Sequence, residues 1–304
     1  MKQKILITGG SGLVGTFLGK MLTDKGYEVG VLSRNPDINA QPKQFQWNPK
    51  KAEIDAEALK NVFGVIHLAG AGIADKRWTE NRKKEIISSR VETTNFLSDL
   101  IKEGKFKPQV FISASGIDYY GDKKDKWINE EEKPPKNSFI SDVCISWENA
   151  VLKVAEAGVR TAIFRMGIVL AKDGGALEKI DMPIKMGIGA YLGDGKQYYT
   201  WIHIEDLARM FLHTLETEKV EGVYNAGSPN PVTNKEMVSI IAKVLDKRHL
   251  LAPTPAFVLK IALGEMASIL LSSQRASVEK ITQTGFEFKY DDAESALKEI
   301  YGKS

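Results

Sequence analysis

The 304-residue sequence predicts an α/β protein with helices wrapped on both faces of a parallel sheet. Three observations predict it. Short β-branched runs alternate with amphipathic stretches through the first half, the pattern of βαβ crossovers. The runs are apolar almost end to end, as strands covered on both faces are. A glycine-rich turn joins the first run to the first amphipathic stretch.

The elements follow in order. KILIT (4–8) reads as a buried strand, GTFLGKMLTDKG (15–26) as a helix and YEVGVLS (27–33) as the second strand. GVIHLAG (64–70) is the next strand, followed by a long helix over 79–104 and the strand QVFISAS (109–115). The run 122–137 is charged and holds Pro134-Pro135, so it is a loop, either solvated or a lid over a site. A helix over 144–158 and a strand over 160–167 complete the alternation. After about residue 170 glycine clusters appear, then a strand at 223–227 and helices near 234–246 and 255–271. The stretch 256–271 is too short to span a bilayer comfortably and is interrupted by Lys260 and Glu265; it is expected to be a buried or half-buried helix.

Composition narrows the function. Lys plus Arg (42) nearly balances Asp plus Glu (39), which argues against a nucleic-acid partner. A single cysteine, Cys144, rules out an internal disulfide framework. With no leader visible before the first strand, a cytoplasmic location is expected. No membrane or metal partner is expected: the four histidines lack ligand spacing, and His203 beside Glu205 and Asp206 reads as structural or cleft-lining.

The glycine turn carries chemistry. Gly9, Gly12 and Gly15 follow the first strand and open the first helix. Glycine lets the backbone turn sharply and approach a pyrophosphate with no Cβ in the way, and the helix N-terminus offers free N–H groups. The arrangement predicts a Rossmann-type doubly wound sheet. The second strand ends in Ser33-Arg34, where an NAD site usually carries Asp or Glu for the ribose. A guanidinium suits a 2′-phosphate, so the expected cofactor is NADP(H).

With these residues in place, TGGSGLVG, IHLAG (66–70), SAS-x-x-x-YYG (113–121) and WIHIEDLA (201–208) resemble an extended, atypical short-chain dehydrogenase/reductase of the epimerase-like group. KRWTENRKKEIISSRVETT (76–94), GIVLAKDGGAL (167–177), NAGSPNPVTNKE (225–236) and the tail from 251 to 288 extend the resemblance over nearly the whole chain. It implies an NADP-binding domain over 1–170, with contributions from about 200–228, and a smaller C-terminal substrate lobe over 171–304. It implies that Gly9, Gly12, Leu13, Val14 and Gly15 hold the pyrophosphate, that Ser33 and Arg34 face the 2′-phosphate, and that Leu68, Ala69 and Gly70 pass beside the ribose and pyrophosphate. Glu85 and Arg90 of the long helix are implied to face the cofactor side. The sequence departs from its relatives at Ala71, where an acidic residue is usual, and around Ser277, where a proline is common.

The catalytic pair is missing. Standard members carry Tyr-x-x-x-Lys one helical turn apart, the lysine lowering the tyrosine pKa. With Glu148 as the marker, those positions fall on Ile140 and Cys144, neither of which substitutes chemically. Cys144, at the expected start of a helix with no histidine nearby, reads as a core residue rather than a nucleophile. Tyr119–Lys123 and Tyr120–Lys124 repeat the spacing, but Gly121 and Asp122 place them in a loop. The remaining candidates are Ser115 at the strand end, Tyr119 or Tyr120 near the cleft mouth, and Ser113 for the nicotinamide ribose. Arg165 is expected either to face an anionic substrate or to pair internally. Two functions stay open. One is an NADP(H)-dependent oxidoreductase or epimerase-like enzyme acting on a small carbonyl or nucleotide-sugar-like substrate. The other is a non-catalytic NADP(H) sensor, with a protein partner or homodimer.

Overall fold

A computed structural model describes residues 2–172, 174–247 and 250–303. Strand β1 (Lys4–Thr8) leads through the glycine turn into α1 (Leu13–Asp24), then β2 (Glu28–Ser33), β3 (Lys43–Asn48), β4 (Glu53–Ile54) and β5 (Val62–His67). Helix α2 (Glu80–Lys102), β6 (Val110–Gly116), the short β7 (Trp127–Ile128), α3 (Phe139–Glu156) and β8 (Arg160–Met166) follow. Further on come β9 (Ile168–Leu170), α4 (Gly175–Lys185), β10 (Ile188–Leu192), β11 (Tyr198–Tyr199), β12 (Trp201–His203), α5 (Ile204–Glu216) and β13 (Gly222–Ala226). The chain ends with β14 (Val232–Thr233), α6 (Asn234–Val244), β15 (Leu250–Thr254), α7 (Ala256–Leu263), α8 (Ala267–Leu271), β16 (Arg275–Ala276), α9 (Glu279–Thr282) and α10 (Ala293–Tyr301).

The main sheet has eight strands in the order β13-β8-β6-β5-β1-β2-β3-β4. All its pairings are parallel except β3 with the edge strand β4. The chain runs outward from β1 to β3 and returns to β5 on the other side, so the strand order reverses between β1 and β5. Open α/β sheets bind ligands at such a switch, beyond the carboxyl ends of the strands.

The strand period of two decides which helices cover which face. Ile5 and Ile7 join Leu18 of α1 and Leu207 and Phe211 of α5 in one core. Leu6, between them, points the other way into a core with Leu97 of α2, Phe111, and Trp147 of α3. Burying each such side chain contributes about 1.5–3 kcal/mol, which fixes strand register on both faces. A third core, around Trp201, Met237 and Leu297, gathers α4, α6 and α10.

Several expectations are revised. Strands β3 and β4 were not foreseen, because KQFQWN, one strand in from the edge, alternates polar and apolar residues and lacks the apolar run of the inner strands. Helix α3 begins at Phe139, where Ser138 accepts a hydrogen bond from the Ser141 amide, so Cys144 lies inside the helix and not at its start. The apolar tail stretch is two helices, because Gly264 takes φ 62° between them. None of α7 is buried, and Phe257 and Ile261 are 65% and 73% exposed. Among the described residues no helix is long and apolar enough to cross a membrane.

Candidate active site at the carboxyl end of the sheet

The glycine turn closes on itself: the Gly12 amide donates to the Gly9 carbonyl at 3.0 Å, and the Thr16 amide to the Gly12 carbonyl at 2.9 Å. Gly9 takes φ +69°, and a Cβ there would lie 2.7 Å from the Leu68 carbonyl oxygen. At Gly15 a Cβ would strike the Gly9 carbonyl. Helix α1 has no side-chain cap and no acidic residue in its first turn. The amides of Leu13, Val14 and Gly15 therefore keep an unopposed partial positive charge. Leu13 also packs toward Gly175 of the C-terminal segment, 3.0 Å from where a Cβ would sit.

The neighbouring strand end is pinned by a buried relay. The Thr8 hydroxyl accepts from the Leu68 and Ala69 amides, both at 3.1 Å, so its own proton goes to His67 Nδ1 at 2.8 Å. Nε2–H then donates to the Thr94 hydroxyl at 3.0 Å, and Thr94 donates to the Arg90 carbonyl at 2.7 Å. Burial, reinforced by Arg90, pushes the His67 imidazole down to about 3. His67 is thus neutral when folded and protonates on unfolding in acid. Its contribution is complete above the unfolded pKa of about 6.5 and is lost as pH falls from there toward 3, with about 2 kcal/mol gone by pH 5. Urea midpoints at pH 7 and pH 5 should therefore diverge less for His67→Gln than for the wild type. An equal divergence would reject this role.

Arg90 and Gly70, each expected on the cofactor side, lie against one another. A Cβ on Gly70 would stand 2.9 Å from the Arg90 guanidinium carbon, whose plane lies over Trp147 at 5.0 Å. Arg90 is 6% exposed, donates to the Ile86 carbonyl at 2.9 Å, and has a buried Nε without a partner. Burial pushes it down to about 10. Among the described residues no carboxylate pairs with it. A buried cation in that state is strongly favoured by an incoming anion. Glu85 is exposed and held by Arg82 at 2.6 Å; Arg82 in turn donates to the Gly72 carbonyl and fixes the loop after β5.

Beyond β2, the Ser33 hydroxyl accepts from the Asn35 amide at 3.2 Å, and the Arg34 carbonyl accepts from Gln46 at 2.8 Å. These bonds hold the turn while the Arg34 side chain stays exposed, with no ion pair among the described residues.

The polar residues of β6 meet a different fate from the one expected. Ser115 is 2% exposed and donates to Glu148 Oε1 at 2.7 Å. Ser113 is fully buried and donates to the Ala114 carbonyl at 2.9 Å. Tyr120 is not at the cleft mouth: it is fully buried, donates to Asn225 at 2.7 Å and accepts from Arg165 at 2.8 Å. Arg165 pairs internally, with both Glu148 oxygens at 2.9 and 2.7 Å. Tyr119 is half-buried with the Arg165 guanidinium 3.4 Å above its ring. Neither loop lysine serves these tyrosines: Lys123 is held by Glu132 and Lys124 by Asp122.

At the two positions of the absent pair, Ile140 is 4% exposed in an apolar cluster with Trp78 and Met266, and Cys144 is 2% exposed with its thiol pushed by burial up to about 12. His203 caps α5 and bonds Glu299 at 2.9 Å, a structural position. Among the described residues no group of three or more His, Cys, Asp or Glu converges as a metal site would require. A recess of about 960 Å³ opens between Asp122 and Lys124 after β6, the turn Gly193–Gln197, and α7 and α8. Sequence reading missed Thr8 and His67. They end adjacent strands and face each other in register, a signal that was available.

This fold and this cradle define a class. Residues 5–227 match the NAD dependent epimerase/dehydratase family, and the chain belongs to it. That membership makes it an NAD(P)-dependent epimerase- or oxidoreductase-like enzyme. Residues 254–300 match a domain of unknown function, DUF1731. Among individual relatives, the chain is 36% identical over 300 residues to the epimerase family protein YfhF of Bacillus subtilis, covering 98% of each. It is 32% identical over 301 residues to the human epimerase family protein SDR39U1, covering 98% of this chain and 99% of the relative. The crystal structure of human SDR39U1 with NADPH is similar at a TM-score of 0.89 and 30% identity, over 99% of this chain and 100% of that one.

Proposed function

We propose that this protein binds NADP(H) and uses it on a small carbonyl or nucleotide-sugar-like substrate held between the sheet and the C-terminal lobe. The carrying observation is a glycine cradle followed by a guanidinium with no ion pair among the described residues: Gly9, Gly12 and Gly15 around an uncapped helix, with Arg34 where a carboxylate would otherwise select NAD. The amides of Leu13, Val14 and Gly15 would hold the pyrophosphate, Ser33 and Arg34 the 2′-phosphate, and Leu68, Ala69 and Gly70 the ribose side. Arg90 would find its missing counter-charge there. When bound, the nicotinamide supplies hydride transfer. The NADPH in the human relative's crystal structure supports this reading. The domain division is proposed on the same basis: residues 1–170, with α5 and β13, form the dinucleotide domain, and the rest the substrate lobe.

Calorimetry with NADPH and NADH tests the cofactor. NADPH should bind more tightly by roughly 10- to 100-fold, the worth of charge-assisted bonds to the extra phosphate, and Arg34→Ala should remove most of that gap. Equal or better binding of NADH overturns it. The burial of Ile140 where a catalytic tyrosine would stand favours the second reading, a dinucleotide sensor. Steady absorbance change with any carbonyl, alcohol or nucleotide sugar would exclude that alternative.

A further inference from the structure

We propose that Asp118 is the proton-exchanging group of this site, standing in for the absent tyrosine and lysine. The proposal rests on the dinucleotide reading above. β6 ends at Gly116 and turns at once into a single 3-10 turn, Ile117–Tyr120, beyond the carboxyl end of the sheet. The Asp118 main chain is fixed there: its carbonyl accepts the Ser141 hydroxyl at 2.8 Å and the Gly121 amide at 3.0 Å. Its side chain is treated differently. It is half-buried, and among the described residues its carboxylate meets no donor but its own backbone N–H and no cation pairs with it.

Other aspartates of the chain show what a structural carboxylate does here. Asp55 and Asp292 cap helices, Asp206 binds the Lys289 and Tyr290 amides, and Asp181 accepts from Tyr301. Asp118 has no such employment. Cys144, at the former lysine position, is close by: a Cβ on Gly116 would lie 3.3 Å from its Sγ and 3.9 Å from the Asp118 amide nitrogen. Cys144 is neutral. Beyond it stand Arg90, which abuts Gly70, and Glu148, which is consumed by Arg165. Asp118 therefore stands beyond the carboxyl end of β6, on the side of the sheet where Gly70 and Arg90 meet, and among the described residues no cation compensates its charge. Burial raises its carboxyl to about 6, where a proton can be both taken and returned near neutral pH.

In oxidation the substrate C–H hydrogen leaves with its electron pair to the oxidised dinucleotide. The O–H bond breaks, its proton passes to an Asp118 carboxylate oxygen, and C=O forms. Reduction returns the hydride to carbon and the Asp118 proton to oxygen. The test is carbon NMR of protein labelled at aspartate carboxyl carbons, with Asp118→Asn and Asp118→Ser to assign the signal. One carboxyl should titrate near 6 and vanish in both variants. NADP+, with its cationic ring, should lower that midpoint by about half a unit or more relative to NADPH. A midpoint in the ordinary aspartate range of about 4, or equal midpoints with the two dinucleotides, overturns the proposal. Calorimetry on the same samples separates the two readings. Failure to bind either dinucleotide sinks the cofactor assignment, and with it this one. Binding of both without a midpoint difference sinks Asp118 alone.

Discussion

Gly9→Ala should reduce NADPH affinity by on the order of 100-fold while a matched change elsewhere leaves it intact. Gly9 takes φ +69°, a conformation that costs an L-residue about 1–2 kcal/mol. The larger effect is contact. The new methyl would sit 2.7 Å from the Leu68 carbonyl oxygen and 2.8 Å from its carbon, and neither backbone atom can rotate away. Leu68 and Ala69 are tethered to Thr8, so relief must come from opening the turn that would hold the pyrophosphate. Gly104 supplies the control: its φ is +70°, and a Cβ there meets nothing within 4 Å. Gly104→Ala carries the same backbone strain and should keep full NADPH affinity. Calorimetry on both variants, with circular dichroism to confirm folding, decides the matter. Equal affinities would refute the cradle.

Glu148→Gln should destabilise the protein by about 3–5 kcal/mol, the usual cost of leaving one member of a buried ion pair alone. Arg165 and Glu148 side chains are 4% and 8% exposed, and the pair is two-pronged. Glu148 also receives the Ser115 hydroxyl, and Arg165 reaches Tyr120. Removing one charge leaves the guanidinium buried without a counter-ion. Glu148→Met combined with Arg165→Met removes both charges and should cost less than the single change, because no unpaired charge remains. Urea unfolding of the three proteins tests this. A single variant within about 1 kcal/mol of wild type would mean that water or a rearranged partner already solvates Arg165. The network explains why Ser115 and Tyr120 are not free to handle substrate: with Glu148, Arg165 and Asn225 they hold β6, α3, β8 and β13 in place.

Much of this architecture was legible in the chain itself. Strands of the inner sheet announce themselves because both faces are covered, so their apolar run is continuous; β3 escaped because it lies toward an edge and alternates. Helix α3 starts about one turn and a half before Cys144, because Ser138 caps it and the apolar face begins at once with Phe139 and Ile140. The broken tail helix turned on a single glycine, Gly264, with positive φ.

By itself the sequence determined the order of the inner strands and of the helices between them, the glycine turn and the arginine after β2. Each of these is written in residues that are neighbours along the chain, where periodicity and backbone freedom act locally. Tertiary structure alone decided what the polar side chains do. Ser115 meets Glu148, and Tyr120 meets Asn225, only because β6, α3 and β13 stack as they do. A serine or aspartate has the same chemistry in a catalytic pocket and in a structural network. What separates Ser115 from Asp118 is whether a buried partner arrives from a distant element to claim it.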